Sequence, residues 1–348
     1  MLAVILAFPC YGLSADKALL LDAETGGILF SKGADSRSLI ASTTKIMTAL
    51  VVCEQCNVLD RMRIPKEAIG IEGSSMYLKE GEILTIQELL YGLMLHSGND
   101  AAVALAIYCG GTVEGFAELM NDKAHQLGLE NTHFVNPNGL DAPDHYSTAR
   151  DLAILAAYAM DNPIFAMTAS AKTIRIGQRT LNNHNKLLWL YEGADGVKTG
   201  YTKNAGRILV SSAKRAGRRL IAVTINAPDD WNDHITMLND GFERFSLQSI
   251  IKKGDVLGYV EVSGGQSDWV ELIADMDFHF PLAHGENVNL VLPKPGFVYA
   301  PVLVGTDAGD VYICIDDRMI GVCPAVYGQT VEQTQPEKKT IWQKLFRR

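Results

Sequence analysis

Apolar and polar positions change period twice along this chain. Residues 18–32, ALLLDAETGGILFSK, read as two apolar runs around a Glu-Thr-Gly-Gly turn, the pattern of a β-hairpin. From Thr43 the run TTKIMTALVVC is apolar nearly all round, which marks a helix enclosed by protein. Ser42 or Thr43 is expected to cap its N-terminus. Helical spacing recurs at 86–95, 101–108, 113–127 and 147–160, and Thr148 with Asp151 three residues on matches a capping box with Asp in the place of Glu. VKTGYT, GRILVSSA and RLIAVTIN then read as three neighbouring strands, with 231–245 as a helix packed against them. Strands first, helices in the middle and strands last predict an α+β fold, an antiparallel sheet with helices on its faces.

After about residue 248 the texture becomes short β-rich runs separated by Gly, Pro, Asn and Asp: 251–262, 269–274, 287–292, 298–304, 311–315 and 320–323. The expected organisation is a catalytic domain over 16–248, a small all-β domain over 252–328, and a polar linker from 329. The first fifteen residues carry a short apolar run followed by small residues. That run is too short to span a bilayer and reads as the remnant of a secretory signal. The segment 338–348, KKTIWQKLFRR, places Ile341, Trp342, Leu345 and Phe346 on one helical face, with Lys344, Arg347 and Arg348 opposite. Such a helix suits a membrane interface and is attracted to anionic lipid.

Composition narrows the function classes. The 348 residues carry a net charge of −9, which argues against a nucleic-acid partner, since such partners select a basic face. The exception is the tail, where Lys338, Lys339, Lys344, Arg347 and Arg348 stand without an acid. Of the six cysteines, Cys53 and Cys56 have the spacing of half a zinc site or a redox pair. No second C-x-x-C or paired histidines follow, so the expectation is two helix-packing cysteines. Cys314 and Cys323 flank an expected hairpin, where a disulfide is open if the chain is exported. His145 and Asp151 superficially suggest metallopeptidase spacing, but without H-E-x-x-H or a second placed histidine no metal site is expected, and no cofactor is implied. His96, beside Ser97, is expected to be structural.

Three short strings carry the chemistry. In Ser42-Thr43-Thr44-Lys45 a serine and a lysine lie one helical turn apart, and a serine hydroxyl needs such a base to become a nucleophile. A lysine serves only when burial or another cation lowers its pKa, and an apolar helix with Lys198 nearby supplies both. Ser97-Gly98-Asn99 falls in an inter-helix turn, where a hydroxyl can relay a proton and an amide can clasp a peptide group. Lys198-Thr199-Gly200 sits on an edge-like strand, where the lysine offers positive charge and the glycine lets a substrate backbone approach. S-x-x-K, S-D-N and K-T-G together mark class A β-lactamases and penicillin-binding proteins.

The resemblance extends further. With ASTTKIMTAL, LLYGLMLHSGNDAAVALA, NPNGLDAPDHYSTARDLA, NNHNKLL and GADGVKTGYTKNAG, the chain resembles the low-molecular-mass penicillin-binding proteins that act as serine-type D-alanyl-D-alanine carboxypeptidases, and its β-rich stretch resembles their C-terminal domain. The resemblance implies a penicillin-binding/β-lactamase-like catalytic domain that removes the terminal D-alanine of peptidoglycan stem peptides and is acylated by β-lactams. It implies Ser42 as acylated nucleophile, Lys45 as general base and Ser97 as proton relay. Asn99 would bind the peptide, Lys198 and Thr199 the terminal carboxylate, and the backbone N–H groups of Ser42 and Tyr201 the oxyanion. It also implies membrane anchoring by the tail, on the extracytoplasmic face. Some relatives place an arginine in the loop after the last active-site strands; here that loop, 227–234, has none. Two rivals fare worse. A class A β-lactamase needs a deacylating glutamate, and 131–144 contains none, while a non-enzymatic β-lactam sensor would not need all three strings intact.

Overall fold

A computed structural model describes residues 12–335, apart from 284, 293–295 and 317. The chain divides into two compact units that part between Phe245 and Ser246.

The first unit is built on a five-stranded antiparallel sheet. Strands β1 (Lys17–Asp22) and β2 (Ile28–Lys32) form the expected hairpin. The helical layer follows: α1 (Lys45–Gln55), the small ladder of β3 (Arg61–Arg63) with β4 (Ile83–Thr85), then α2 (Ile86–Leu95), α3 (Asn99–Gly110), α4 (Val113–Gln126), α5 (Ala149–Asp161) and α6 (Pro163–Ser170). A hairpin of β5 (Thr173–Ile176) and β6 (Arg179–Asn182) and the short α7 (Leu187–Leu190) lead into β7 (Ala194–Thr202), β8 (Gly206–Arg215) and β9 (Arg218–Ile225). Helix α8 (Asp230–Arg244) closes the unit. The sheet order β2-β1-β9-β8-β7 puts β7 at an edge, as expected.

Strand alternation sorts the core into two layers. Leu19, Leu21, Ile208, Val210, Ile221 and Val223 pack under the helical layer, while Leu20, Leu209, Leu220 and Ala222 pack under α8. Helix α1 is enclosed, with every residue from Lys45 to Val52 buried. Capping explains several boundaries. Thr85 and Glu88 make a reciprocal capping box on α2, and the Thr148 side chain accepts from the Asp151 N–H on α5.

The second unit consists of β10 (Phe245–Ile251), β11 (Val256–Ser263), β12 (Trp269–Ala274), β13 (Phe278–Ala283), β14 (Val288–Val291), β15 (Phe297–Tyr299), β16 (Asp307–Ile315) and β17 (Arg318–Tyr327). Six of these form one sheet in the order β14-β16-β17-β12-β11-β15, and β10 pairs with β13.

Four expectations need correction. The β unit starts with β10 rather than near 252. It also runs past 328, because Val331 is buried and exchanges backbone hydrogen bonds with Val302, while Gly265 bridges Gln333. Ser14 and Ala15, assigned to the leader, belong to the folded body: both donate backbone N–H groups to the Asp233 carboxylate, and Ala15 is buried. Finally, Cys56 is not merely packed. It follows the end of α1 and forms a disulfide with Cys109 at the end of α3. Cys53 remains free, and so do Cys314 and Cys323, because the β16–β17 register pairs Cys314 with Met319 and Cys323 with Val311.

Candidate active site

The three strings converge on one cleft of about 360 Å³. Its lining includes Ser42, Ser97, Thr199, Gly200 and Tyr201 from the expected set. Lys45, Asn99 and Lys198 lie behind that surface, all buried.

Ser42 does not cap a helix. It occupies a 3-10 turn, Ala41–Thr44, ahead of α1, and neither end residue of this turn makes a side-chain cap. Thr43 Oγ1 instead donates to the Ile40 carbonyl, which tightens the turn and leaves the Ser42 hydroxyl facing Lys45. Ala41 in this turn and Ser97 across the cleft both hold left-handed φ values, 45° and 57°. Such strain in non-glycine residues persists only where the surroundings impose it. Around Ser97 the Gly98 N–H bonds the Gly92 carbonyl and the Asn99 N–H bonds the Ser74 carbonyl. Asp100 adds a clamp, accepting from Ser75 Oγ and from the backbone N–H groups of Met76 and Leu78.

Lys45 Nζ sits among three oxygens: Ser42 Oγ at 3.0 Å, Asn99 Oδ1 at 2.7 Å and the Asn138 carbonyl at 2.5 Å. The Asn99 amide is oriented unambiguously, because its Nδ2 donates to the Glu72 carbonyl. Two of the three oxygens are therefore pure acceptors. Burial, with the nearby Lys198 charge adding to it and Asp100 opposing, holds the Lys45 amine well below its usual pKa of 10.5. A neutral amine has two N–H groups and one lone pair. In that form Asn99 and Asn138 would take the two N–H groups and the lone pair would turn to Ser42 Oγ; as an ammonium Lys45 donates to all three oxygens.

Lys198 donates to its neighbour's carbonyl, Thr199 O, at 2.9 Å. Burial pushes it down to about 7. Close approach explains two glycines. A Cβ on Gly139, which has φ +85°, would lie 1.9 Å from the Ala41 carbonyl, so the turn carrying Asn138 can reach Lys45 only without a side chain there. A Cβ on Gly200 would come within 3.3 Å of the Ser42 nitrogen, which shows how closely β7 approaches the serine turn. Among the described residues, Ser97 Oγ is buried with no protein hydrogen-bond partner.

His145 has both ring nitrogens engaged. Nδ1 accepts from the Val135 N–H, so Nε2 carries the proton and donates to Thr44 Oγ1. Burial keeps its pKa down, to about 4, so it is a neutral brace behind the serine turn. His96 packs its ring 5.2 Å from that of His184.

Sequence reasoning missed several cleft residues: Ser74, His184, Lys186, Arg207, Asp230 and Trp231. Arg207 sits opposite Tyr201 in the β7–β8 ladder, and a pairing register read along the strands would have found it. The Asn138 carbonyl carries no side-chain signal at all.

Known proteins resemble this chain in sequence and fold. The family profile described as Peptidase S11, D-alanyl-D-alanine carboxypeptidase, matches residues 7–229, and that of the penicillin-binding protein 5 C-terminal domain matches residues 245–333. The chain is 33% identical to D-alanyl-D-alanine carboxypeptidase DacF of Bacillus subtilis over 89% of its own length and 84% of the relative's. It is 34% identical to DacC of Escherichia coli over 90% and 84% of the two chains. Among solved structures, penicillin binding protein 5 from Haemophilus influenzae superposes with a TM-score of 0.79 at 31% identity, covering 94% of this chain and all of that one. The chain belongs to the Peptidase S11 family of D-alanyl-D-alanine carboxypeptidases, serine peptidases of the penicillin-binding class, and carries the C-terminal domain that accompanies it.

Proposed function

We propose that Ser42 is the residue acylated during removal of the terminal D-alanine, with Lys45 as its general base. The observation that carries this reading is the position of Lys45 Nζ, 3.0 Å from Ser42 Oγ and fixed by Asn99 Oδ1 and the Asn138 carbonyl, in surroundings that lower its pKa. Ser42 Oγ attacks the carbonyl of the D-Ala-D-Ala bond while its proton passes to Lys45. The backbone N–H groups of Ser42 and Tyr201 hold the oxyanion. The proton taken up by Lys45 reaches the departing amine by relay through Ser97, which gives one proton and takes one back as the C–N bond breaks, so both side chains return to their starting state. Water then cleaves the Ser42 ester and restores the enzyme. Asn99 clasps the peptide, Gly200 admits its backbone, and Lys198 with Thr199 faces the terminal carboxylate. A β-lactam opens on Ser42 by the same attack and leaves an ester that hydrolyses slowly.

Fluorescent penicillin and a D-Ala-D-Ala peptide test this together. Wild type is expected to label and to release D-alanine, and Ser42→Ala to do neither. Equal labelling of both proteins with no D-alanine from either would overturn the assignment.

The chain is further read as exported and anchored to anionic membrane by residues 338–348. Family members acting on peptidoglycan at the cell membrane or periplasm support this, as does the amphipathic pattern of the tail. Residues 1–11 and 336–348 lie outside the described residues, and the leader is expected to end before Leu13, since Ser14 and Ala15 bind Asp233. Among the described residues no single helix is long and apolar enough to cross a membrane. Deleting 338–348 should shift the protein from the membrane to the soluble fraction; unchanged partition would contradict the anchor.

A further inference from the structure

A carboxypeptidase substrate ends in a permanent anion, so its cleft needs a cation that stays charged at neutral pH. Lys198 meets that need only in part, because burial brings it down to about 7, so that only about half of it is charged at neutral pH, and its Nζ already donates to Thr199 O. Arg207 also has a protein partner, Asp230, but that contact uses one of its three nitrogens. A guanidinium remains protonated throughout the physiological range and offers five N–H donors in a planar fork.

Arg207 also stands in the right place. It lies directly opposite Tyr201 in the β7–β8 ladder, and Thr199 is opposite Leu209. Residues directly opposite share a face, so Arg207, Tyr201 and Thr199 project from the same side of the sheet, with Arg207 diagonal to Thr199 and within reach of a long side chain. All three line the cleft that contains Ser42.

The guanidinium is held rather than free. Its Nη2 donates to both oxygens of Asp230, at 2.6 and 2.9 Å, and its Cζ lies 5.8 Å from the centre of the Trp231 ring. The Asp230 side chain is 3% exposed and that of Arg207 44% exposed, so the acid forms the floor and the arginine faces the solvent of the cleft. Asp230 engages one nitrogen only. Among the described residues, Nε and Nη1 make no hydrogen bond to protein, which leaves three N–H donors for a ligand. Asp230 and Trp231 come from loop 227–234 and the start of α8. In this chain that segment contributes the support, and strand β8 contributes the cation.

We propose that Arg207 binds the free C-terminal carboxylate of the peptide substrate, with Asp230 as the residue that positions it. The proposal rests on the Ser42 reading above and refines its substrate recognition.

The test compares two substrates of the full-length enzyme. One is an acylated peptide ending in D-Ala-D-Ala with its free carboxylate; the other is an N-acyl-D-alanyl thioester whose leaving group is neutral. Arg207→Gln should lower kcat/KM on the peptide by ~10–100-fold, mainly through KM, and change thioester hydrolysis by less than about twofold. Arg207→Lys should recover part of the loss. Asp230→Asn should show a smaller, equally carboxylate-dependent rise in KM, and the Arg207→Gln/Asp230→Asn double variant should fall no further than Arg207→Gln alone. Equal losses on both substrates would assign Arg207 a purely structural role and overturn the proposal. So would an unchanged peptide KM, or a carboxylate-dependent loss in Lys186→Gln that is missing from Arg207→Gln. Failure of the Ser42 reading has a different signature: thioester hydrolysis by the otherwise wild-type enzyme that survives Ser42→Ala.

Discussion

The two units of this chain bury different things. In the β unit the core is Val, Leu, Ile, Ala, Phe280 and a cysteine, and among the described residues no polar or charged residue after His234 is buried. The first unit encloses Lys45, Lys198, Asn99, Asp100 and His145 alongside its apolar core. Burying an ammonium costs several kcal/mol unless it is compensated or discharged, so a chain selected for stability alone would avoid it. The β unit is packed in that stability-driven way. The catalytic unit gives up stability around one cleft, and the environment created there lowers the pKa of Lys45, as its proposed role as base requires.

Three substitutions break or sharpen this contrast. The largest effect is expected from Lys45→Met. Acylation by penicillin should slow by ~10²–10⁴-fold, the usual contribution of a positioned base. Thermal stability should hold or rise, because a buried amine gives way to an apolar chain of similar length. Slower acylation accompanied by a collapse in melting temperature would mean that Lys45 is chiefly structural. In the β unit the pattern reverses. Leu272, fully buried, should cost ~2–5 kcal/mol on truncation to Ala, read by calorimetry, with the acylation rate unaltered. A matching loss of acylation would mean that the contrast between the two units does not hold.

The smallest effect is a pH dependence. Lys198 is held at about 7 in the folded chain and returns to 10.5 on unfolding. Between those values the unfolded chain binds more protons, so this group's contribution to stability rises with pH from about 7 to 10.5. Lys198→Met removes it. The variant's stability advantage over wild type should be largest near pH 7 and shrink toward pH 10. A difference independent of pH would show that burial does not suppress the Lys198 charge.

Much of this was legible in the sequence, for identifiable reasons. The strand carrying Lys198, Thr199 and Gly200, its two neighbours and the helix over them announce themselves through local periodicity, and the three catalytic strings are contiguous in sequence. What escaped depends on distance along the chain. The disulfide joins Cys56 to Cys109 across 53 residues and requires the packing of α1 against α3, which no spacing rule encodes. The acceptor at Asn138 is a backbone carbonyl, delivered by a turn whose clue is the absent side chain of Gly139. Arg207 lay outside the loop where an arginine was sought, because the partner of Asp230 is set by sheet register and not by proximity in sequence. Strand β13 and the last bridged residues at Val331 and Gln333 were read as connection, since short polar-flanked segments gain strand character only from a partner.

The central claim is that burial lowers the Lys45 pKa, while two carbonyl acceptors fix its amine against Ser42. The most direct test is the pH profile of second-order acylation by penicillin, which reports ionisations of the free enzyme. The acid limb, followed in wild type and in Arg207→Gln to separate ligand binding from chemistry, should reach half its maximum well below 10.5 in both. An acid limb that climbs only near 10.5, the pKa of an ordinary lysine, would contradict the account.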